Sequence, residues 1–334
     1  MLAIPSLDRA IAYLESLEDP TIKMRLILLR DPEADVAETR KRVAAQPGVT
    51  EAFVAQRPDG SWGDHERAAN RLLPTLWMVK TLGELGLDKN HRGWNRAVAF
   101  LVEQGHIDDG VFSIRSSRDG VLSCYVGLAA LIYLRGGLSD LAHPQLDWIR
   151  RYQEIKAGGR DRRDGPVDEW GPHLRTKYGG CMAKTTCLVG LLRAGRALAL
   201  SGNDWAQPLV AAIREAYVER RAMYASDERI VPLAVSSKKS DSWLKPTFPT
   251  DWRIDLIEVI GFLTETGPAD PRMQDAFDKI AEFQLPDGTW PLRRSYRPAF
   301  LPGVERPSTH RPSPMITMRV VEALTMQVPA QQED

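Results

Sequence analysis

The chain has 334 residues, of which 43% are hydrophobic and 26% are charged, enough to form one large core. Its 44 basic and 44 acidic side chains give a formal net charge of zero, so charge gives no reason to expect nucleic-acid binding. Three cysteines are too few for a disulfide framework and indicate a reducing, cytoplasmic setting. The amino terminus does not resemble a signal peptide, and no run of about 18 apolar residues predicts a membrane-spanning segment.

A short motif recurs along the chain at intervals of about fifty residues. Segments 56–62 and 284–290 both place Gln, Asp-Gly and Trp at the same spacing, and weaker copies follow Gln104 and Gln153. Asp-Gly predicts a tight turn, across which the Trp can pack. The Gln side chain can form hydrogen bonds with exposed backbone groups of the neighbouring unit. These residues are therefore predicted to join structural repeats rather than to contact a ligand.

Each repeat predicts one buried helix and one amphipathic helix. In chain order, helices that are apolar on nearly every side are predicted at 22–30, 73–87, 122–134, 181–200, 251–263 and 314–326. Amphipathic helices are predicted to accompany them, for example at 7–17, at 49–56 and before Gln104, Gln153 and Gln284. A helix that is apolar all round must be buried, so the first set is predicted to form an inner layer and the second an outer layer.

The number of helix pairs predicts a closed ring. Six inner and six outer helices, with 7–17 completing the carboxyl-terminal unit, form an all-α (α/α)6 toroid in which the two ends of the chain seal each other. The prediction is a single domain over residues 1–334, with long loops at about 154–180, 226–250 and 291–313. A strand signal occurs only near 230–235.

The repeated Gln–Asp-Gly–Trp segments resemble the prenyltransferase and squalene-oxidase repeat family, which includes squalene–hopene cyclases and protein prenyltransferase β subunits. Over 21–324 the chain is most similar to short, single-ring bacterial squalene-cyclase-like proteins. The matching stretches include 59–63, 181–187, 255–258 and 312–318. The resemblance implies the toroid fold and makes an isoprenoid-like substrate plausible.

The catalytic motifs of that family are missing from this sequence. Class II cyclases carry an Asp-x-Asp-Asp acid, and its nearest approach here, His106–Asp109, lies where a turn is predicted. There is no Asp-Asp-x-x-Asp to hold magnesium and a diphosphate. No Asp lies two residues before a cysteine, as in the zinc site of prenyltransferase β subunits. The resemblance therefore does not fix the reaction.

Several reactive side chains are predicted on one rim of the ring. Cys124, Cys181 and Asp251 each lie where an inner helix is predicted to begin. Parallel inner helices bring these amino-terminal ends together, and the free N–H groups there lower the pKa of a thiol. Cys124 and Cys181 are therefore candidate catalytic groups. The candidate substrate contacts are Trp252, Asp251, Cys187 and His173.

Three interpretations of the cysteines are open. In the first, they are small buried hydrophobic residues. In the second, they line the pocket and act in acid–base chemistry. In the third, Cys124, Cys181 and Cys187, with His173 or His310, bind zinc. No other cofactor is predicted.

Asp255 is the candidate general acid. It lies within the predicted apolar helix 251–263 and three residues before Glu258. Two buried carboxylates this close cannot both ionise cheaply, so one is predicted to keep its proton near neutral pH. The alternative is a structural ion pair with Arg253 or with an arginine of a neighbouring repeat.

These features lead to three hypotheses about function. The first is a terpenoid-cyclase-like enzyme (a cyclase, isomerase or hydro-lyase) that acts by acid–base chemistry on a small apolar substrate in a dry central cavity. The second is a non-catalytic toroid that binds an apolar ligand or a protein partner, which the missing motifs favour. The third is a glycan-acting enzyme, which needs opposed carboxylates and stacking aromatics. Its candidates are Asp64, Asp255 and Glu169 with Trp170.

Overall fold

The computed structural model describes residues 5–153, 187–224, 240–298, 300–301 and 305–325. Within these ranges the chain forms 13 α-helices. In chain order they are α1 (Asp8–Glu15), α2 (Pro20–Arg30), α3 (Ala37–Ala44), α4 (Pro47–Val54), α5 (Ala68–Leu85), α6 (Arg92–Gly105), α7 (Ser123–Arg135), α8 (Ser139–Tyr152), α9 (Leu188–Ser201), α10 (Gln207–Val218), α11 (Leu256–Glu265), α12 (Gln274–Ala281) and α13 (Pro314–Thr325).

Six helices form the inner layer: α2, α5, α7, α9, α11 and α13. One of them, α7, is buried without interruption from Ser123 to Tyr133. Successive inner helices contact one another from α5 through α7, α9, α11 and α13 to α2. The ring closes where the Met24 side chain of α2 lies against Gly86 at the end of α5.

The remaining helices form the outer layer, in which α1, α3, α6, α8, α10 and α12 each pack against an inner partner and α4 packs against α3. The first helix, α1, contacts α13 and α2, so the start of the described chain completes the carboxyl-terminal unit as predicted. The outer helix predicted at 49–56 is α4, which Pro47 starts, and a further helix that the sequence analysis did not predict, α3, precedes it. The described residues contain no β-strand, only isolated bridges, and the all-α prediction is confirmed for them. The strand signal at 230–235 lies outside the described residues.

The repeated motif joins neighbouring units as predicted. Gln56 Nε2 donates to the Gly60 carbonyl within its own turn at 2.9 Å and to the Gly93 carbonyl of the next unit at 2.8 Å. Trp62 is fully buried, and its indole N–H donates to the Ala52 carbonyl at 2.7 Å. Gly60 has a φ of 89°, and a Cβ there would lie 2.5 Å from a backbone oxygen. Only glycine fits this turn without strain.

The second copy repeats these contacts at the junction of the chain ends. Gln284 Nε2 donates to the Gly288 carbonyl at 3.0 Å and to the Ser6 carbonyl at 3.4 Å. The indole N–H of Trp290 donates to the Ile280 carbonyl at 2.9 Å. The same side-chain contacts therefore join adjacent units and close the ring.

Two inner helices begin later than the sequence predicts. The helix expected from Asp251 begins at Leu256, because Asp255 is extended and its side chain accepts the Glu258 N–H as an N-cap. The helix expected from Cys181 begins at Leu188, with Cys187 as its N-cap. Cys181 lies outside the described residues. None of the helices described here is long and apolar enough to cross a membrane.

Candidate functional site

Buried charges occupy the centre of the ring in the part of the chain that the structure describes. Lys80 on α5 donates to Glu84 at 2.7 Å and to the Thr250 hydroxyl, which precedes α11, at 2.9 Å. Arg193 on α9 is 1% exposed and pairs with Glu258 on α11. The expected dry apolar centre is therefore absent from the described region. The sequence contains a signal for these buried charges, because Lys80 and Arg193 interrupt otherwise apolar helices.

Asp255 is surrounded by hydrogen-bond donors. Its Oδ1 accepts from Arg319 Nη2 at 2.8 Å and from the Glu258 N–H at 3.0 Å. Its Oδ2 accepts from Arg319 Nη1 at 2.8 Å and from the Thr247 N–H at 3.0 Å. Asp255 has no exposed surface. This geometry fits the alternative interpretation, a structural ion pair with an arginine of a neighbouring repeat, and a catalytic role for Asp255 stays a prediction.

Glu258 does not share a proton with Asp255, because it has arginine partners of its own. Arg193 and Arg196 both donate to Glu258 Oε1, the latter at 2.9 Å. Burial acts to raise the pKa of Glu258, but the two guanidinium groups outweigh it and lower the pKa to about 2. Glu258 is thus ionised at neutral pH.

The two described cysteines lie close together, and Cys124 is not activated. Cys124 is buried in the first turn of α7, and burial raises its pKa, an effect to which the nearby Cys187 adds. The sequence predicted the opposite shift from the helix amino terminus. Desolvation of the thiolate outweighs the helix dipole here. Cys187 Sγ accepts the Gly190 N–H at 3.4 Å.

No metal site forms among the residues that the structure describes. Within those ranges no group of three or more His, Cys, Asp or Glu side chains is placed to hold an ion. Two of the proposed ligands, Cys181 and His173, lie outside the described residues. The zinc alternative therefore stays a prediction.

Asp251 and Trp252 lie side by side, whereas the other candidates belong to separate segments. Asp251 pairs with Arg253, whose guanidinium stacks 4.9 Å from the Trp252 ring centre in the bend before α11. The segment His106–Asp109 is a turn, as predicted, in which Asp109 Oδ1 accepts the Val111 N–H at 3.3 Å. Of the glycan-site candidates, Asp64 is exposed, whereas Glu169 and Trp170 lie outside the described residues.

A charged cavity of about 380 Å³ opens at the carboxyl-terminal mouth of the ring. Side chains from the carboxyl-terminal halves of five inner helices line it: Glu84, Arg135, Arg196, Glu265 and Glu322. Arg25, Arg40, Asp88, Glu258 and Arg319 complete its charged lining. The predicted rim of reactive groups lay at the opposite ends of these helices.

A second, mainly apolar cavity of about 340 Å³ lies where α2, α4 and α13 begin. Its apolar lining consists of Ile22, Val49, Leu85, Phe248, Leu301 and Met315, besides two prolines. Phe248 lines both cavities, so the two cavities adjoin at its side chain.

Two carboxyl groups, Asp19 and Glu305, face the apolar cavity. Asp19 caps α2, accepting the Thr21 N–H at 2.8 Å and the Ile22 N–H at 3.0 Å. Burial raises the pKa of Glu305; hydrogen bonds from Ser313 and the Met315 N–H oppose this shift, and Asp19 adds to it. Sequence reasoning missed Glu305, which lies in the loop predicted at 291–313 and has no local signal.

Comparisons with known proteins give distant structural likenesses. No protein-family model and no curated protein matches the sequence. A variant of the type II terpene cyclase MstE from Scytonema, in complex with geranylgeranyl dihydroxybenzoate, is 15% identical over 96% of each chain, with a TM-score of 0.46. Apo MstE is 17% identical over 95% of this chain and 96% of that chain, with a TM-score of 0.44. A protein from Actinoplanes is 16% identical over 86% and 99%, with a TM-score of 0.34. Likenesses this distant carry no argument about the reaction.

Proposed function

We propose that the protein is a terpenoid-cyclase-like enzyme that acts on an isoprenoid-like substrate by acid–base chemistry, with Glu305 as its general acid. The observation that carries this proposal is a carboxyl group of raised pKa facing an apolar cavity. Such a cavity excludes water and favours the protonated form of a carboxyl group, which is the form an acid catalyst needs.

The chemistry uses one carboxyl group twice. Glu305 transfers its proton to an alkene carbon of the substrate, which leaves a carbocation and a carboxylate. Loss of a proton from a neighbouring carbon to that carboxylate restores Glu305 and gives an isomerised or cyclised alkene. The apolar wall of Ile22, Val49, Leu85 and Leu301 keeps water from the cation.

The contrast between the two carboxyl groups supports Glu305 rather than Asp255 as the general acid. Asp255 accepts four hydrogen bonds from donors in the core and has no exposed surface. Glu305 is half-buried, lines a cavity and lacks an arginine partner among the described residues. A substrate can reach Glu305 without breaking an ion pair.

The test is turnover of farnesol and geranylgeraniol, with products identified by gas chromatography and mass spectrometry. Glu305→Gln keeps the shape of the side chain but removes the proton, and we expect at least about a hundredfold loss of rate. Glu51→Gln, on the exposed side of α4, is the matched control and should keep the wild-type rate.

Two outcomes would redirect the proposal. Full turnover by Glu305→Gln would place the acid elsewhere, and Asp255→Asn would then be the next variant to assay. Binding of both alcohols without any turnover would instead support the non-catalytic toroid, the alternative that the missing family motifs favour.

A further inference from the structure

The apolar cavity carries negative charge without a compensating base. Asp19 and Glu305 face it, and no Lys, Arg or His is among the described residues that line it. Arg25 Nη1 lies 3.0 Å from the sulfur of Met315, a lining residue, but this guanidinium is paired with Glu322 and lines the charged cavity. In that adjoining cavity the lining arginines and carboxylates are equal in number. The apolar cavity therefore presents an unbalanced negative charge to a ligand.

The helix amino ends at this cavity are already occupied by the protein's own carboxyl groups. A helix amino terminus attracts anions through its free N–H groups. On α2, Asp19 accepts two N–H groups of the first turn, at 2.8 and 3.0 Å. On α13, Glu305 accepts the Met315 N–H at 3.4 Å. The third helix, α4, begins with Pro47, which has no N–H. The two carboxyl groups thus lie where a ligand anion would otherwise bind.

One oxygen of Asp19 is open to a donor from a ligand. Asp19 is half-buried, and its Oδ1 accepts both helical N–H groups. Among the described residues its Oδ2 accepts only from Gln46 Nε2, at 3.4 Å, which is long for a hydrogen bond. A ligand hydroxyl or ammonium group can donate to Oδ2, whereas a carboxylate has no donor for it. The charge of Asp19 also acts across the cavity, since it raises the pKa of Glu305.

We propose that Asp19 determines which ligands enter the apolar cavity: isoprenoid-like molecules that end in a hydroxyl or an amine bind, and those that end in a carboxylate or a diphosphate are excluded. An anionic end brought beside Asp19 loses its hydration and gains no cation in return. A hydroxyl or ammonium end donates to Asp19 instead, while the chain lies against the apolar wall. This specificity rests on the proposed function, because it takes the apolar cavity as the substrate site.

The test compares three ligands that share a ten-carbon chain and differ in charge: geraniol, geranylamine and geranic acid. Calorimetry at neutral pH measures the Kd of each ligand. We expect the alcohol and the amine to bind at least about tenfold more tightly than the acid. The amine separates charge from desolvation, because an apolar cavity without a fixed charge would disfavour both ions.

Asp19→Asn removes the charge and keeps a side chain that caps a helix equally well. We expect this variant to bind geranic acid about tenfold more tightly than the wild type does, and geranylamine about tenfold more weakly. Binding of geraniol should change by less than about threefold. Asp35→Asn is the matched control, because Asp35 is exposed, accepts the Ala37 N–H at the start of α3 and does not line the cavity. It should bind all three ligands like wild type.

Tighter binding of geranic acid cannot come from a damaged fold, so it separates a specificity role for Asp19 from a structural one. Equal binding of geranic acid and geranylamine to the wild type would overturn the proposal, as would an unchanged preference in Asp19→Asn or no binding of any ligand at millimolar concentration. Selective binding without turnover of farnesol would confirm the specificity and contradict Glu305 as the acid. Turnover of farnesol together with equally tight binding of geranic acid would do the reverse.

Discussion

Arg319 of α13 and Asp255 before α11 form a two-pronged ion pair inside the ring, with both N–O distances 2.8 Å. Asp255 also caps α11 through the Glu258 N–H. Arg319 further donates to the Thr247 carbonyl in the preceding loop. One pair of side chains thus ties two inner helices and a loop together.

Removing the charge of Asp255 should destabilise the fold. Asp255→Asn leaves Arg319 buried beside a neutral amide, and breaking a buried pair from one side costs about 3–5 kcal/mol. Urea unfolding measures the difference, and Asp251→Asn, whose pair with Arg253 is partly exposed, should change stability by less than about 1 kcal/mol. Wild-type stability together with lost turnover would make Asp255 the catalytic acid.

Stability should fall in acid through Glu258. Its pKa is about 2 in the folded protein against 4.5 for the unperturbed group. A depressed folded-state pKa gives stability that is fully present above pH 4.5 and is lost as the pH falls towards 2. Unfolding free energies measured across this range should show the decline, and Glu258→Gln should flatten part of it. An unchanged pH profile in the variant would assign the acid sensitivity to other groups.

The two tryptophans of the repeat should contribute similarly to stability. Trp62→Phe removes the indole donor to the Ala52 carbonyl and leaves a small cavity, which should cost about 1–3 kcal/mol. Trp290→Phe loses the equivalent bond to Ile280 and should cost about as much. Thermal unfolding of both variants, with half-buried Trp252→Phe as the control, checks the comparison. A loss in Trp252→Phe as large as that in Trp62→Phe would count against a special role for the repeat.

Cys124 should resist alkylation in the folded protein. Its burial and raised pKa leave almost no thiolate at neutral pH, and the thiolate is the reactive form. Iodoacetamide labelling followed by peptide mass spectrometry should find Cys124 unmodified in buffer and modified in urea. Rapid labelling of Cys124 in the native protein would contradict this expectation and would support the sequence-based prediction of an activated thiol at this rim.

The sequence alone predicts the ring because its signals are local. Apolar periodicity decides which helices are buried, and the Gln–Asp-Gly–Trp segments fix the turns, with contacts from Gln56 and Trp62 that lie within a repeat or one unit away. The predicted starts of α9 and α11 were less accurate than the prediction of which helices are buried. In each case a capping side chain, Cys187 or Asp255, decides the start of the helix, and an apolar pattern does not show it.

The tertiary structure decides the chemistry of the site, because the partner of a charged side chain depends on which helices the ring brings together. Arg319 lies 64 residues from Asp255, and Glu258 lies 65 residues from Arg193. Glu305 faces an apolar cavity only because α2, α4 and α13 begin around it. Burial and neighbouring charge set each pKa, and both arise only when distant segments pack, so residue type and spacing do not reveal which carboxyl group holds a proton.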